Sequence, residues 1–330
     1  MHRVVIPPLA APPALPRGDA VHCLEGRTMG TTWSVRLVAP AGMVLDGVEA
    51  GIQSVLDAVV AAMSGWEEGS DLSRFNRAPA GSWHVLPDGF CAVLRAGLDI
   101  AAQTDGAYDP TIGPLVDLWG FGPPAVPLGL PHGDAIAAAR ARVGWRRLRL
   151  DGRHARQPGG LALDLCGIAK GYGADQVAEA LSGMGIASFL VEVGGELRGQ
   201  GVKPDLSPWW VEIDRPPGLD ATPFRVALHG LSVATSGDYR RSFRHGAFRY
   251  AHTIDPRSGW PTGAGLASVT VLERDCMRAD ALATALTVLG PEAGPAHAAR
   301  HGIAALFIRR DAAEALHEMM SPAFAAMLDG

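Results

Sequence analysis

Leu161–Gly201, LALDLCGIAKGYGADQVAEALSGMGIASFLVEVGGELRGQG, sets the reading of the rest of the chain. Its pattern is strand, tight turn, helix, strand, glycine turn. Asp164 ends the first strand, Gly167 and Lys170 lie in the turn, and a helix begins just after. A strand-to-helix turn with glycines and a cation suits an anionic, phosphorylated ligand, because unpaired backbone N–H groups and the helix dipole both favour negative charge there. Glycine-rich turns are common, so this feature needs a second site elsewhere to complete any chemistry.

Outward from this stretch, runs of strands alternate with blocks of helix. Toward the N-terminus, Val35–Val38 reads as a strand, and Val48, Ile52, Val55, Leu56, Val59 and Met63 recur at helical spacing, giving a helix over 46–63. Residues 64–76 read as a polar loop, and Asp88 as the N-cap of a helix to about residue 102. Residues 106–122 read as an irregular, cleft-lining loop, 123–131 as a proline-rich connector and 134–143 as a short helix. Residues 147–150 and 161–165 are expected to pair as a hairpin around 151–160. Toward the C-terminus, strands are expected at 209–213, 224–228, 248–254, 268–272 and 302–309, with helices at 276–289 and near the end. This order favours α+β over a doubly wound sheet.

Three further segments carry candidate chemistry. In Arg278–Gly290, RADALATALTVLG, a rotation of about 100° per residue sets Leu282, Ala285, Leu286 and Leu289 on one side, with Asp280, Thr284 and Thr287 opposite. Asp280 and Thr284 then stack one turn apart, a carboxylate and a hydroxyl of the hard-oxygen kind that suits Mg²⁺. On this helix alone, an amphipathic helix with a polar outer face is the simpler reading. In Arg249–Thr262, RYAHTIDPRSGWPT, His252 lies near a strand end beside a turn, well placed for proton transfer or equally a structural histidine. In 233–239, VATSGDY, small residues permit close approach of backbone to a ligand, as they do in an ordinary turn.

The 330 residues are 48% apolar with a formal net charge of −5, which supports a substantial core and argues against nonspecific nucleic-acid binding. No apolar run is long enough for a transmembrane helix. Cys23, Cys91, Cys166 and Cys276 are dispersed without a C-x-x-C, so neither a zinc site nor a disulfide framework is signalled. Prolines at 7, 8, 12, 13 and 16 interrupt the first apolar stretch, so residues 1–23 read as an extended or disordered lead-in to a single domain over 24–330. With no convincing signal peptide or lipoprotein processing site, a cytoplasmic location is expected. No G-x-S-x-G elbow or G-x-x-x-x-G-K-[ST] loop is present, nor an N-terminal G-x-G-x-x-G after a strand, leaving serine hydrolases, P-loop enzymes and Rossmann enzymes poorly supported.

Assembled, these segments resemble the ApbE family of FAD:protein FMN transferases. The resemblance rests on 29–32 (MGTT), 64–66 with 73–76, 106–109 with 113–115, 164–172, 193–196 (VGGE), 234–239, 252–256 (HTIDP) and 279–285 (ADALATA), in family order across nearly the whole chain. It implies a compact two-lobed α+β fold, a mixed and largely antiparallel sheet flanked by helices, and an FAD-binding cleft between the lobes. It also implies Mg²⁺-dependent cleavage of FAD, with FMN passed to a threonine or serine of an acceptor flavoprotein and AMP released. Met29, Trp66, Ala107, Tyr108, Asp109, Asp164, Lys170 and the Ile254 backbone would hold FAD. Gly167, through its carbonyl, would join Asp280 and Thr284 around Mg²⁺, and His252 would activate the acceptor hydroxyl. Many relatives are periplasmic or membrane-anchored, and Cys166 stands where they often carry a small residue such as serine. A Mg²⁺-dependent FAD pyrophosphatase and a non-catalytic FAD-binding protein remain the alternatives.

Overall fold

A computed structural model describes residues 2–8, 12–123, 130–238, 242–245 and 248–328. Eight strands form its central sheet: β1 (Val21–Thr28), β2 (Thr31–Val38), β3 (Phe189–Val193), β4 (Glu196–Gln200), β5 (Leu231–Gly237), β6 (Leu266–Glu273), β7 (Ala304–Arg310) and β8 (Leu316–Met320). Their spatial order follows the chain, and every neighbouring pair is antiparallel. Two-residue turns at Met29-Gly30 and Gly194-Gly195, all at positive φ, close two of these hairpins. Such turns match the natural twist of paired strands.

Both faces of the sheet are covered, which is why its central strands read as near-continuous apolar runs. One face carries helices α1 (Leu45–Met63), α3 (Ala169–Gly183) and α4 (Cys276–His301), with α4 lying on β5 and β6, α3 beside it, and α1 beside α3; α2 (Asp88–Gln103) packs against α4. In β7, Ala305 and Phe307 face this helical core, while Leu306 and Ile308 face the other side. There a small sheet of Arg3–Val5, Phe224–Leu228 and Trp209–Glu212 packs over the main one. Ile52 and Leu56 of α1 are fully buried, each contributing about 1.5–3 kcal/mol of apolar burial.

The sheet is interrupted once by a long excursion. Between β2 and β3, residues 39–188 carry α1, α2, α3 and a three-stranded sheet of Trp83–Val85, His154–Arg156 and Arg149–Asp151. This insertion forms one wall of the cleft described below.

Several local expectations change. Arg3–Val5 pairs with Phe224–Leu228, Val5 is fully buried, and a boundary at residue 23 falls inside β1. Prolines bar helix in this segment but leave short extended pairing open. Leu161–Leu165 forms no strand, only a bridge from Ala162 to Ile112, because Arg149–Asp151 pairs instead with His154–Arg156 around Gly152. Lys170 lies within the first turn of α3. The expected polar loop holds a helix, Asp71–Asn76, whose start is capped by the Ser70 hydroxyl accepting from the Ser73 N–H at 2.9 Å. Within 106–122, Gly113–Leu118 is helical. The helix over 276–289 continues to His301 across a break at Gly290 (φ 84°), and the C-terminal helix gives way to β8 and the single turn Pro322–Ala325. The 233–238 segment is mostly strand β5 rather than turn. Tyr239 and most of the proline-rich connector lie outside the described residues.

Candidate active site

Helix α4 is seated by α3. Asp175 accepts hydrogen bonds from the first two N–H groups of α4, Cys276 at 3.0 Å and Met277 at 2.9 Å, and is ion-paired with Arg198 of β4. The carboxylate thus satisfies donors that a helix start leaves orphaned. The two helices meet at Gly171, where a Cβ would sit 2.3 Å from the Cys276 carbonyl oxygen, so only glycine allows this approach. The Gly171 N–H donates to Asp280 Oδ2 at 3.2 Å. Asp280 therefore points at the N-terminal turn of α3, where the sequence places Lys170 and Gly167.

The face of α4 carrying Asp280 is not a solvent face. Asp280 is 4% exposed, and Ala279 to Ala283 are all buried. Burial pushes the Asp280 carboxyl above its ordinary range; the Lys170 ammonium and the Gly171 N–H oppose this. Lys170 bonds Glu196 at the start of β4. Burial would lower the Lys170 pKa, but Asp280 and Glu196 outweigh it and hold the ammonium charged. Thr284 lies one turn beyond Asp280, its hydroxyl 3.2 Å from that of Ser236 in β5. A Cβ on Gly167 would come within 3.0 Å of Thr284 Oγ1, so the Gly167 backbone lies directly against this hydroxyl.

These groups line a cleft of 290 Å³ between the insertion and β4, β5 and α4, at the lower end of ligand-site volumes. Trp66 stands at it, 55% exposed. Ala107, Tyr108 and Asp109 form part of the insertion wall. The Asp109 carboxylate accepts from the Thr111 N–H (2.8 Å), the Thr111 hydroxyl (2.7 Å) and the Trp145 N–H (3.0 Å), so it pins its own loop, and burial raises its pKa. Tyr108 is buried, and among the described residues its hydroxyl has no hydrogen-bond partner. Burial, then the Asp280 and Asp164 carboxylates, push that phenol well above its ordinary pKa and keep its proton in place. A buried O–H without an acceptor in a cleft fits a ligand that supplies one.

Asp164 accepts from the Cys166 N–H at 2.9 Å, and burial raises its pKa. His252 follows the strand Phe248–Ala251 and lines the cleft, its ring edge-on to Phe121 of the insertion at 6.3 Å. Ile254 is buried among Leu115, Trp119 and Ile136 of the insertion, which fixes the backbone just beyond His252. Of the twelve residues picked out from sequence, Met29 alone is absent from the cleft lining. It occupies the β1–β2 turn at φ 49°, and its methyl group faces Gly173 of α3.

The donor set fits a divalent, hard cation. Among the described residues no three His, Cys, Asp or Glu side chains converge as metal ligands. What converges is one carboxylate, Asp280, one hydroxyl, Thr284, and the Gly167 backbone, the oxygen-only set that Mg²⁺ takes together with substrate phosphates. Acid also exceeds base here, with Asp109, Asp164, Asp280 and Glu196 set against Lys170, so added positive charge favours a doubly negative pyrophosphate. Glu196 and Ser236 lie inside the sequence motifs, which assign neither of them a role. The sequence motifs do not include Asp175 or Arg198: Asp175 is one of two acids in α3, with Glu179, and its burial is set by the fold.

The family model for the ApbE family matches residues 29–307 of this chain. The chain belongs to the ApbE family. An FAD:protein FMN transferase of Vibrio cholerae is 38% identical over 293 residues, covering 88% of this chain and 87% of that protein. One of Klebsiella pneumoniae is 36% identical over 328 residues, covering 97% and 93%. Among solved structures, the apo flavinyl transferase ApbE of Pseudomonas stutzeri superposes with a TM-score of 0.89 at 40% identity, over 94% of this chain and 98% of that one. The α+β fold and its antiparallel sheet are those of ApbE proteins. Among the described residues no helix is long and apolar enough to cross a membrane.

Proposed function

We propose that this ApbE-family chain transfers FMN from FAD to a threonine or serine hydroxyl of a target flavoprotein and releases AMP. The observation that carries this reading is the meeting of Asp280, Thr284 and Gly167 with His252 in one cleft, whose Tyr108 hydroxyl has no acceptor among the described residues. The relatives' names supply the substrate and the direction of transfer.

In this reading the acceptor O–H loses its proton to His252 as its oxygen bonds the FMN-side phosphorus, and the bond from that phosphorus to the bridging oxygen breaks, leaving AMP. A neutral hydroxyl is a poor nucleophile until a base takes its proton. Lys170, held charged and fixed by Glu196, faces the charge that builds on the phosphates. Asp280, Thr284 and the Gly167 carbonyl would hold Mg²⁺, which when bound neutralises pyrophosphate charge and polarises the P–O bonds. Asp164, Tyr108 and the Ile254 backbone would fix the nucleotide, and Trp66 would cover it at the mouth.

Incubation with FAD, Mg²⁺ and a candidate acceptor, followed by a denaturing gel viewed for flavin fluorescence, tests the reading. A fluorescent acceptor band supports transfer. Free FMN and AMP with a dark acceptor would make the protein a pyrophosphatase instead.

A further inference from the structure

Residues 140–156 hold seven arginines and one acid, Asp151, a net charge of +6 in a chain whose total is −5. Part of this segment lies on the small sheet of the insertion, in which Trp83–Val85 is an edge strand. Its inner face packs into the core through Leu150 and Ala155. Its outer face presents a cross-strand row: Arg149 lies directly opposite Arg156, and Arg156 directly opposite Trp83. Trp83 is 50% exposed and Val85, on the same face, 61%. Like charges directly opposite one another destabilise a sheet. Among the described residues neither guanidinium has a hydrogen bond or an ion pair, although Asp151 lies two residues along the same face. A cost of this kind, beside an exposed tryptophan, marks a surface built for an acidic partner.

The patch is tied to the cleft wall. Arg149 lies four residues beyond Trp145, whose N–H donates to Asp109 of the cleft. Four residues span at most about 14 Å, and a typical protein interface of about 800 Å² per partner is roughly 30 Å across. One docked protein of that size spans the distance from the patch to the cleft wall. An extended polyanion such as nucleic acid or an anionic bilayer also meets Asp151 and the acidic remainder of the chain, whereas a compact acidic epitope meets the patch alone.

Resting on the proposed transferase reading, we infer that the Arg149–Arg156–Trp83 row is the docking surface for an acidic face of the acceptor protein, distinct from the cleft that takes its hydroxyl side chain. The test is the double variant Arg149→Glu/Arg156→Glu, with Trp83→Ala as a milder companion. The substrates are a purified protein that the wild-type chain flavinylates and a short synthetic peptide carrying the labelled residue. The expected result is a rise of about tenfold or more in KM for the protein in the double variant, loss of the salt dependence of that KM, and unchanged KM for the peptide and unchanged FAD affinity. An unchanged KM for the protein overturns the inference. So does a variant whose only loss is binding to anionic phosphatidylglycerol vesicles or to an oligonucleotide. If the wild-type chain labels no protein at all, the transferase reading fails first, and the two failures are told apart.

Discussion

Asp280 is the residue on which the site turns. Its carboxyl is buried and its pKa raised. In the metal-free protein the folded state then keeps a proton that the unfolded chain releases at the ordinary carboxyl pKa. Asp280 thus disfavours folding increasingly as pH rises through the window between the ordinary and the raised value, and the full penalty stands above that window. A cation bound there favours the charged form, so the melting-temperature gain from Mg²⁺ should grow with pH across the same window. Asp280→Asn should flatten both trends and raise the Mg²⁺ concentration needed for half-maximal activity at least tenfold, as read from melting curves and a Mg²⁺ titration. An unchanged Mg²⁺ requirement would remove Asp280 from the metal set. His252→Ala should lower the rate of transfer by about 10²–10⁴-fold with FAD affinity retained. Full transfer by that variant would place the base elsewhere.

Helix α4 shows what sequence conveys about an element and what it withholds. The 280/284 spacing was legible from helical geometry alone, and the oxygen chemistry followed from the residue types. That the Asp280 face is buried was not legible, because it depends on α3 crossing at Gly171 and on Asp175 holding the first two N–H groups of α4. Those contacts join residues about a hundred positions apart. The same holds for Lys170, whose partner Glu196 stands on a strand beyond the helix. Local order misled where a tighter pairing competed: Asp151-Gly152 closed a shorter hairpin than the one expected to reach Leu165. Asp175→Ala removes both acceptors from α4 and leaves Arg198 without its carboxylate in a mostly buried site. The expected cost is about 3 kcal/mol, at the lower end for a broken buried pair because Arg198 keeps 20% side-chain exposure. Urea unfolding measures it, and an unchanged midpoint would show that α4 is seated by its apolar face alone.

At the scale of the molecule, a sequential antiparallel sheet supplies β4 and β5 to one side of the cleft, and the insertion at 39–188 supplies the other. The α+β class could be read from runs of strands and blocks of helix. The unbroken order of the eight strands could not, because the excursion separates β2 from β3 by 150 residues and each strand alone says nothing of its neighbour. The motifs nonetheless converge, with Asp164 and Lys170, His252, and Asp280 drawn from three distant stretches into one cavity. The central claim, that this cavity joins the phosphorus of FAD to a protein hydroxyl, is tested most directly by intact-mass spectrometry of an acceptor protein after incubation with FAD and Mg²⁺, with AMP measured in the same tube. The expected result is an acceptor heavier by one FMN residue, with one AMP released per acceptor modified. AMP and free FMN with an acceptor of unchanged mass would contradict it.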